Sequence, residues 1–368
     1  MFEFNAGASR PVKDAARDKR IADAQDLVQR TLSQHGLAPP AMDGLMPSGG
    51  LPHQHGPDGL MGMLNMAQAF GGQSPHAAKP QSVATPEGAQ FLSATHQGKN
   101  GSRAYRTYVP ASTDAGVTGI VMMLHGCTQN PEDFAIGTGM NALADRDGFV
   151  VIYPEQSRGA NAQTCWNWFS PGDQRRDRGE PDILAGIARK AMSEHDVPQS
   201  RTFVAGLSAG AAMAVILGQT HPDVFAAVGA HSGLPYGAAK DVASAFAAMA
   251  GQGQGRNTND KAEDTRTIAF HGSADSTVHP ANGAAIIRDA ERAGPSQTLQ
   301  TTRNGNASGR AYSVALSMGQ DGQSHLEHWV IDGLGHAWSG GQSGGSYTDP
   351  KGPDASAEMI RFFFNSKG

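Results

Sequence analysis

Five residues, Gly206-Leu207-Ser208-Ala209-Gly210, stand between the apolar run Thr202-Phe203-Val204-Ala205 and an alanine-rich stretch over residues 211–219. The first run has the β-branched and aromatic content of a buried strand, and the second has the composition of a helix. A strand that becomes a helix within so few residues crowds its own backbone. Glycine at positions 206 and 210 removes the Cβ atoms that would collide there. Ser208 is thereby held on a tight turn where a base can take its proton and a carbonyl can approach. Such pentapeptides arise by chance in a chain with 47 glycines. The flanking strand and helix set this one apart and predict a nucleophile elbow, hence serine-hydrolase chemistry.

An elbow on an α/β-hydrolase scaffold also predicts the order of its partners, Ser, then Asp or Glu, then His. Thr267-Ile268-Ala269-Phe270 is a β-prone run that leads through His271-Gly272-Ser273-Ala274 to Asp275. Trp329-Val330-Ile331 is another, followed by Gly333-Leu334-Gly335-His336. Both candidates fall just past the C-terminal ends of strands, where open α/β sheets gather their active groups. The expected roles are His336 as the base toward Ser208 and Asp275 as the group that fixes the imidazole tautomer. His231, His271 and His279 also lie near strand ends, while His325 and His328 precede the last strand. Only His336 follows that strand, so the others are expected to be structural. Asp332 competes with Asp275, with a role in the turn as its simpler assignment.

Acyl transfer needs donors for an oxyanion, each worth about 3 kcal/mol. Ile120-Val121-Met122-Met123-Leu124 reads as a buried strand that ends in His125-Gly126-Cys127. The backbone N–H groups of Cys127 and Ala209 are the expected pair, with His125 as a supporting hydrogen-bonding residue. Cys127 and Cys165 are the only cysteines. They are either two independent core thiols or, since both fall at the expected rim of the site, a disulfide that steadies the oxyanion strand. Two cysteines without C-x-x-C spacing do not supply a closed metal site, so no metal is expected. His53-Gln54-His55 reads as a solvated loop. Trp166, in the aromatic cluster Cys165-Trp166-Asn167-Trp168-Phe169, and Trp338, two residues beyond His336, are the expected apolar walls for substrate.

The net charge of −5 and a pI near 6.3 offer no basic footprint, so nucleic acid is not an expected partner. No apolar run approaches the roughly 20 residues of a membrane span. The first residues lack the basic-then-apolar order of a secretory signal. Residues 1–36 are expected to form a helical arm, with Ile21, Ala24, Leu27, Val28 and Leu32 at helical spacing. Residues 37–90, rich in Gly, Pro, His, Gln and Met, read as a linker with a short apolar patch over 60–70. From 91 to 368 strands and helices alternate. Strands are expected at 104–109, 120–124, 149–153, 225–230 and 267–270, with further β-structure over 298–331. Helices are expected at 183–194, 242–250, 281–292 and 355–364. The fold class is α/β, an α/β-hydrolase with a mostly parallel, doubly wound sheet.

The motifs Leu124-His125-Gly126-Cys127, Cys165-Trp166-Asn167-Trp168-Phe169, Gly206-Leu207-Ser208-Ala209-Gly210, His231-Ser232-Gly233-Leu234-Pro235-Tyr236 and Gly335-His336-Ala337-Trp338-Ser339-Gly340-Gly341 occur in that order. Together they resemble the polyhydroxybutyrate depolymerase family of esterases, which is related to the feruloyl and acetyl-xylan esterases of carbohydrate esterase family 1. The resemblance spans about residues 91–368. It implies an α/β-hydrolase fold, no metal or organic cofactor, and the same roles for Ser208, Asp275 and His336. It also implies an extracellular or periplasmic protein, although the sequence shows no signal peptide and no appended substrate-binding domain. The expected activity is hydrolysis of hydroxyalkanoate or other short-acyl esters, polymeric or soluble, through an acyl-enzyme. The aromatic cluster at Trp166 motivates a feruloyl or acetyl-xylan esterase as the alternative. A non-catalytic polymer-granule binding protein, attached through its N-terminal arm, is the alternative from a different class.

Overall fold

The computed structural model describes residues 82–111, 116–253, 264–294, 299–319 and 322–364. The helix expected over 14–36, the patch at 60–70, His53, His55 and most of the 37–90 linker lie outside the described residues.

Ten strands form one sheet: β1 (Gln90–Gly98), β2 (Gly101–Val109), β3 (Ile120–Leu124), β4 (Val150–Pro154), β5 (Thr202–Leu207), β6 (Ala227–His231), β7 (Arg266–Gly272), β8 (Leu299–Ala307), β9 (Arg310–Met318) and β10 (Ser324–Ile331). Their order across the sheet is β1-β2-β4-β3-β5-β6-β7-β10-β9-β8. The six central strands, β4 to β10 in that order, run parallel. An antiparallel pair extends each side, β2 and β1 on one and β9 and β8 on the other. The sheet is therefore mostly parallel, with antiparallel wings. The outer hairpin turns between Ala307 and Arg310 through Ser308 and Gly309, both at positive φ (45° and 82°). That handedness matches the twist of the paired strands.

The helices are α1 (Pro131–Thr138), α2 (Met140–Asp147), α3 (Gly179–His195), α4 (Ala209–Thr220), α5 (Val242–Ala247), α6 (Ala281–Ala293) and α7 (Ala355–Phe364). Every residue of β3 and β4 is buried, as strands covered on both faces must be. The period of two divides β3 cleanly. Ile120, Met122 and Leu124 join the core beneath α3, α4 and α6. Val121 and Met123 join the opposite core with Phe134, Met140, Met359 and Phe363 from α1, α2 and α7. Phe203 of β5 stacks on Phe363 with centroids 4.9 Å apart.

Strand β1 and helices α1 and α2 are among the elements that escape the expectations. Strand β1 is mostly exposed along its length, so it lacks the apolar alternation that marks a half-buried strand. Helices α1 and α2 are eight residues each, too short for a sustained period. Their boundaries are nevertheless written in sequence. Asn130 caps α1 by accepting the Asp133 N–H at 2.8 Å, Pro131 follows at the first helical position, and Gly139 and Gly148 close α1 and α2 in the left-handed region. Among the described residues, no helix is long and apolar enough to cross a membrane.

Helix α7 is tied to β10 by an ion pair. Arg361 Nη2 donates to Glu327 Oε2 at 2.6 Å, and Trp329 Nε1 donates to the same oxygen at 2.9 Å. Glu327 is only 1 % exposed, so removing the guanidinium strands a carboxylate in the core. Such losses typically cost about 3–5 kcal/mol. Arg361→Ala is expected to lower the denaturation midpoint accordingly, and a Glu327→Gln/Arg361→Met double variant to recover much of it, as read by urea unfolding of both.

Candidate active site

Ser208 sits between β5 and α4 with φ 57° and ψ −119°, a region that costs a non-glycine residue about 1–3 kcal/mol. The turn is held from both sides. Its N–H donates to His231 O at 2.9 Å, and its carbonyl accepts the Ala212 N–H at 2.9 Å. A Cβ on Gly206 would lie 2.5 Å from the Gly210 backbone, as the strand-to-helix crowding predicts. A Cβ on Gly210 would lie 2.1 Å from Leu124 O and 2.6 Å from His125 O. The elbow is thus pressed onto the end of β3 as well as onto itself.

His336 lies on the loop beyond β10, and its Nδ1 is 2.8 Å from Asp275 Oδ2. Because a carboxylate only accepts, Nδ1 carries a proton and donates to it. Asp275 is buried, and Oδ1 accepts the N–H groups of Thr277 (3.0 Å) and Val278 (2.9 Å). Burial alone would raise its pKa. The contacts with His271 and His336 and the Val278 N–H outweigh that effect and hold it well below the usual carboxylate range. Ser208 and His336 line one pocket together with Gly126, Cys127 and Tyr347. Among the described residues, no hydrogen bond joins the Ser208 hydroxyl to His336. Bonds of this kind are often long without substrate and tighten when it binds.

Cys127 and Cys165 form a disulfide with Cα atoms 4.2 Å apart. It fastens the loop after β3 to the segment that carries Trp166. Gln129 braces the same loop: its Oε1 accepts the Gly126 N–H at 2.9 Å, and its Nε2 donates to Asp133 Oδ2 and to Ser346 O. Among the described residues, the N–H groups of Cys127 and Ala209 donate to no protein acceptor. The Ala209 N–H is one of the unsatisfied donors that open α4.

The two expected aromatic walls are corrected. Trp166 is fully buried, with Nε1 donating to His125 O at 3.0 Å. Trp338 is 1 % exposed, with Nε1 donating to Ser356 Oγ at 3.1 Å and its ring stacked on His231. Each indole has found its polar partner inside the protein, so both pack as core. The aromatic at the pocket is Tyr347, at φ 51°, whose hydroxyl lies 3.1 Å from Thr128 Oγ1. It belongs to the glycine-rich stretch Gly344-Gly345-Ser346-Tyr347, which has no periodicity to mark it. Gln129, three residues beyond Gly126, is equally unmarked.

Three further histidines, His125, His231 and His271, are cross-links. Buried His125 holds Gly126 O with Nδ1 (2.8 Å) and accepts the Gln156 N–H on Nε2 (3.1 Å). His231 Nε2 accepts the Ser339 N–H at 3.1 Å. His271 Nε2 donates to Val278 O at 2.8 Å and lies 3.4 Å from Asp275 Oδ2. Asp332 accepts from Ser273 Oγ at 3.1 Å, a turn contact, and does not meet His336.

The family model described as "Esterase PHB depolymerase" matches residues 103–301, more than half of the chain. The chain belongs to the PHB depolymerase esterase family. The match covers Ser208 and Asp275 and ends before His336. Poly(3-hydroxyalkanoate) depolymerase C of Paucimonas lemoignei is 32% identical over 242 residues, covering 62% of this chain and 57% of that protein. A probable acetylxylan esterase A of Aspergillus flavus is 29% identical over 192 residues, covering 48% of this chain and 61% of its own. The chain therefore spans little more than half the length of these relatives. Among solved structures, an acetyl xylan esterase from Aspergillus awamori superposes with a TM-score of 0.58 at 19% identity, covering 75% of this chain and 98% of that one. That likeness supports the α/β-hydrolase fold.

Burial holds the imidazoles of His125 and His231 neutral. It lowers the first to about 4 and the second, with help from the field of His271 and His336, to about 3. The sign comes from linkage. Below about pH 6.5 the unfolded chain takes up protons on these rings that the folded chain refuses, so stability present above that pH is lost as pH falls toward 4. The melting temperature is expected to drop by several degrees or more between pH 7 and pH 4.5. A flat profile by differential scanning calorimetry would show that the rings are not held neutral.

Proposed function

We propose that the chain is a serine carboxylic-ester hydrolase of the depolymerase type, acting on hydroxyalkanoate esters through an acyl-enzyme. The observation that carries it is the shared pocket: a hydroxyl on a strained elbow and an imidazole fixed by a buried carboxylate open onto the same space. His336 Nε2 takes the Ser208 proton as Oγ attacks the ester carbonyl, and the Asp275 carboxylate stabilises the imidazolium that forms. The oxyanion is met by the N–H groups of Cys127 and Ala209, which have no other acceptor among the described residues. His336 then returns the proton to the leaving alkoxide, and water reverses the sequence to release the acid. The neighbouring ring of His231, kept neutral by burial, adds no positive charge that would oppose formation of that imidazolium. The Cys127–Cys165 disulfide supports an oxidising compartment such as the cell exterior or periplasm.

Depolymerase relatives favour a hydroxyalkanoate acyl group. A second reading, acetyl-xylan esterase, is favoured by relatives of that name at nearly the same identity. Initial rates on hydroxybutyrate oligomers, acetylated xylan and methyl ferulate separate them. Oligomer turnover exceeding both carbohydrate esters by tenfold or more is expected, and the reverse order would establish the second reading.

Ser208→Ala is expected to lower kcat on short-acyl p-nitrophenyl esters by about 10⁴-fold or more, and Asp275→Asn by about 10⁴-fold through the wrong imidazole tautomer. Stopped-flow kinetics check the nucleophile: an acyl-enzyme burst is expected in the parent protein and none in Ser208→Ala. A burst that survives in Ser208→Ala would overturn the assignment.

A further inference from the structure

At the end of α4 opposite to Ser208, three stretches of chain bring an imidazole and two carboxylates together. His221 caps α4, Asp182 lies in the first turn of α3, and Asp177 stands in the preceding loop at φ 59°. One nitrogen of His221 and one oxygen from each carboxylate lie within 4.8 Å of one another. The second observation is the state of His221 itself. The residue is fully buried, and among the described residues its Nε2 has no hydrogen-bond partner. A buried polar atom left so costs about 1–3 kcal/mol unless something meets it.

The tautomer is fixed from behind. The Thr220 hydroxyl donates to Ile216 O at 2.8 Å, so toward His221 Nδ1, also at 2.8 Å, it accepts. Nδ1 therefore carries the proton and Nε2 presents a lone pair, the arrangement seen when the far nitrogen of a metal-binding imidazole is held by an oxygen partner. The carboxylates are positioned too. Asn100 Nδ2, from the β1–β2 turn, donates to Asp182 Oδ2 at 2.7 Å and to Asp177 O at 3.0 Å. Arg176 grips Asp223 with two bonds (2.7 and 2.9 Å) and Thr220 O with a third at 3.0 Å, and Arg189 reaches Asp223 at 3.3 Å. Arg176 Nε also lies 4.0 Å from Asp177 Oδ2, so the three carboxylates outnumber by one the two guanidiniums that pair with them, which leaves negative charge for a cation. The C-terminal end of α4 adds to it.

We propose that Asp177, Asp182 and His221 form a binding site for a divalent transition-metal ion of the zinc class. An imidazole with two carboxylates suits zinc better than calcium or magnesium, which prefer all-oxygen shells. Ligand distances near 2.0–2.2 Å require the three atoms to draw in slightly. Asp177 is exposed, and its one ion pair, with Arg176 Nε, is a long contact of 4.0 Å that such a movement exchanges for the ion. The twelve residues of α4 separate the site from Ser208 by about 18 Å, so the ion pins the β1–β2 turn and the start of α3 to α4 and takes no part in the ester chemistry.

The test uses the full chain, stripped with chelator and dialysed against Zn²⁺, with bound metal counted by mass spectrometry and Tm by calorimetry. The parent protein is expected to bind one Zn²⁺ more than Asp177→Asn/Asp182→Asn and to gain several degrees in Tm that the double variant does not gain. Asp177→Asn, altered only at an exposed side chain, serves if the double variant fails to fold. His53→Ala/His55→Ala should retain the ion. With Co²⁺ as probe, the visible d–d bands should vanish in His221→Ala. Equal stoichiometry in parent and Asp177 variants, no Tm gain with Zn²⁺, or a Ca²⁺ effect matching that of Zn²⁺ would each overturn the site.

Discussion

The structure hangs on a contact between backbones. Gly210 lies against Leu124 O and His125 O at the end of β3, closer than any Cβ allows. That approach sets where α4 begins, and so where the Ala209 N–H stands relative to the loop that carries Cys127. Two donors from chain segments more than 80 residues apart are therefore spaced by atoms that have no rotamers to vary. The strain at Ser208 is sustained by the helix that begins at the next residue. All residues of α4 except Gln219 are buried, and burying so much apolar surface exceeds the 1–3 kcal/mol cost of one unfavourable dihedral pair severalfold.

Above the sheet, histidines act as beams between loops. His125 follows β3, His231 ends β6 and His271 is the penultimate residue of β7. Each reaches neighbouring loops through its ring: His125 uses both nitrogens, on Gly126 and Gln156, while His231 uses Nε2 on Ser339 and His271 uses Nε2 on Val278 and Asp275. Since Ser339 lies three residues past His336, the His231 contact fixes the loop that carries the candidate base. A fixed base keeps its approach to the nucleophile without losing ordering entropy in each turnover.

Legibility in the sequence depended on which constraints are local. The elbow, the central strands and the long helices were legible because glycine placement and apolar period are written within a few residues. The order Ser208, Asp275, His336 was legible because chain order and strand order run together from β3 through β5, β6 and β7 to β10. Direction of side chains was not. Cys165-Trp166-Asn167-Trp168-Phe169 announces aromatic surface but not the carbonyl of His125, 41 positions away, that draws the Trp166 indole into the core. Trp338 likewise answers to Ser356, and the pocket takes its aromatic from Tyr347, a residue with no pattern around it.

The same limit applies to the proposed cation site. Spacing rules detect ligands that share a loop or a helix face, and the two cysteines fail them. Asp177, Asp182 and His221 share neither: they meet only because α3 and α4 pack on the same face of the sheet. The buried, unpartnered nitrogen of His221 marks the place, and no one-dimensional pattern encodes burial of that kind. A helix is stiff along its axis, so holding the His221 end of α4 also resists displacement of the Ala209 end. One element then carries a donor for the developing oxyanion at its start and an anchor against the β1–β2 turn at its finish. The ester chemistry needs the first position to within a fraction of an ångström, and a cross-link at the second steadies it without entering the reaction.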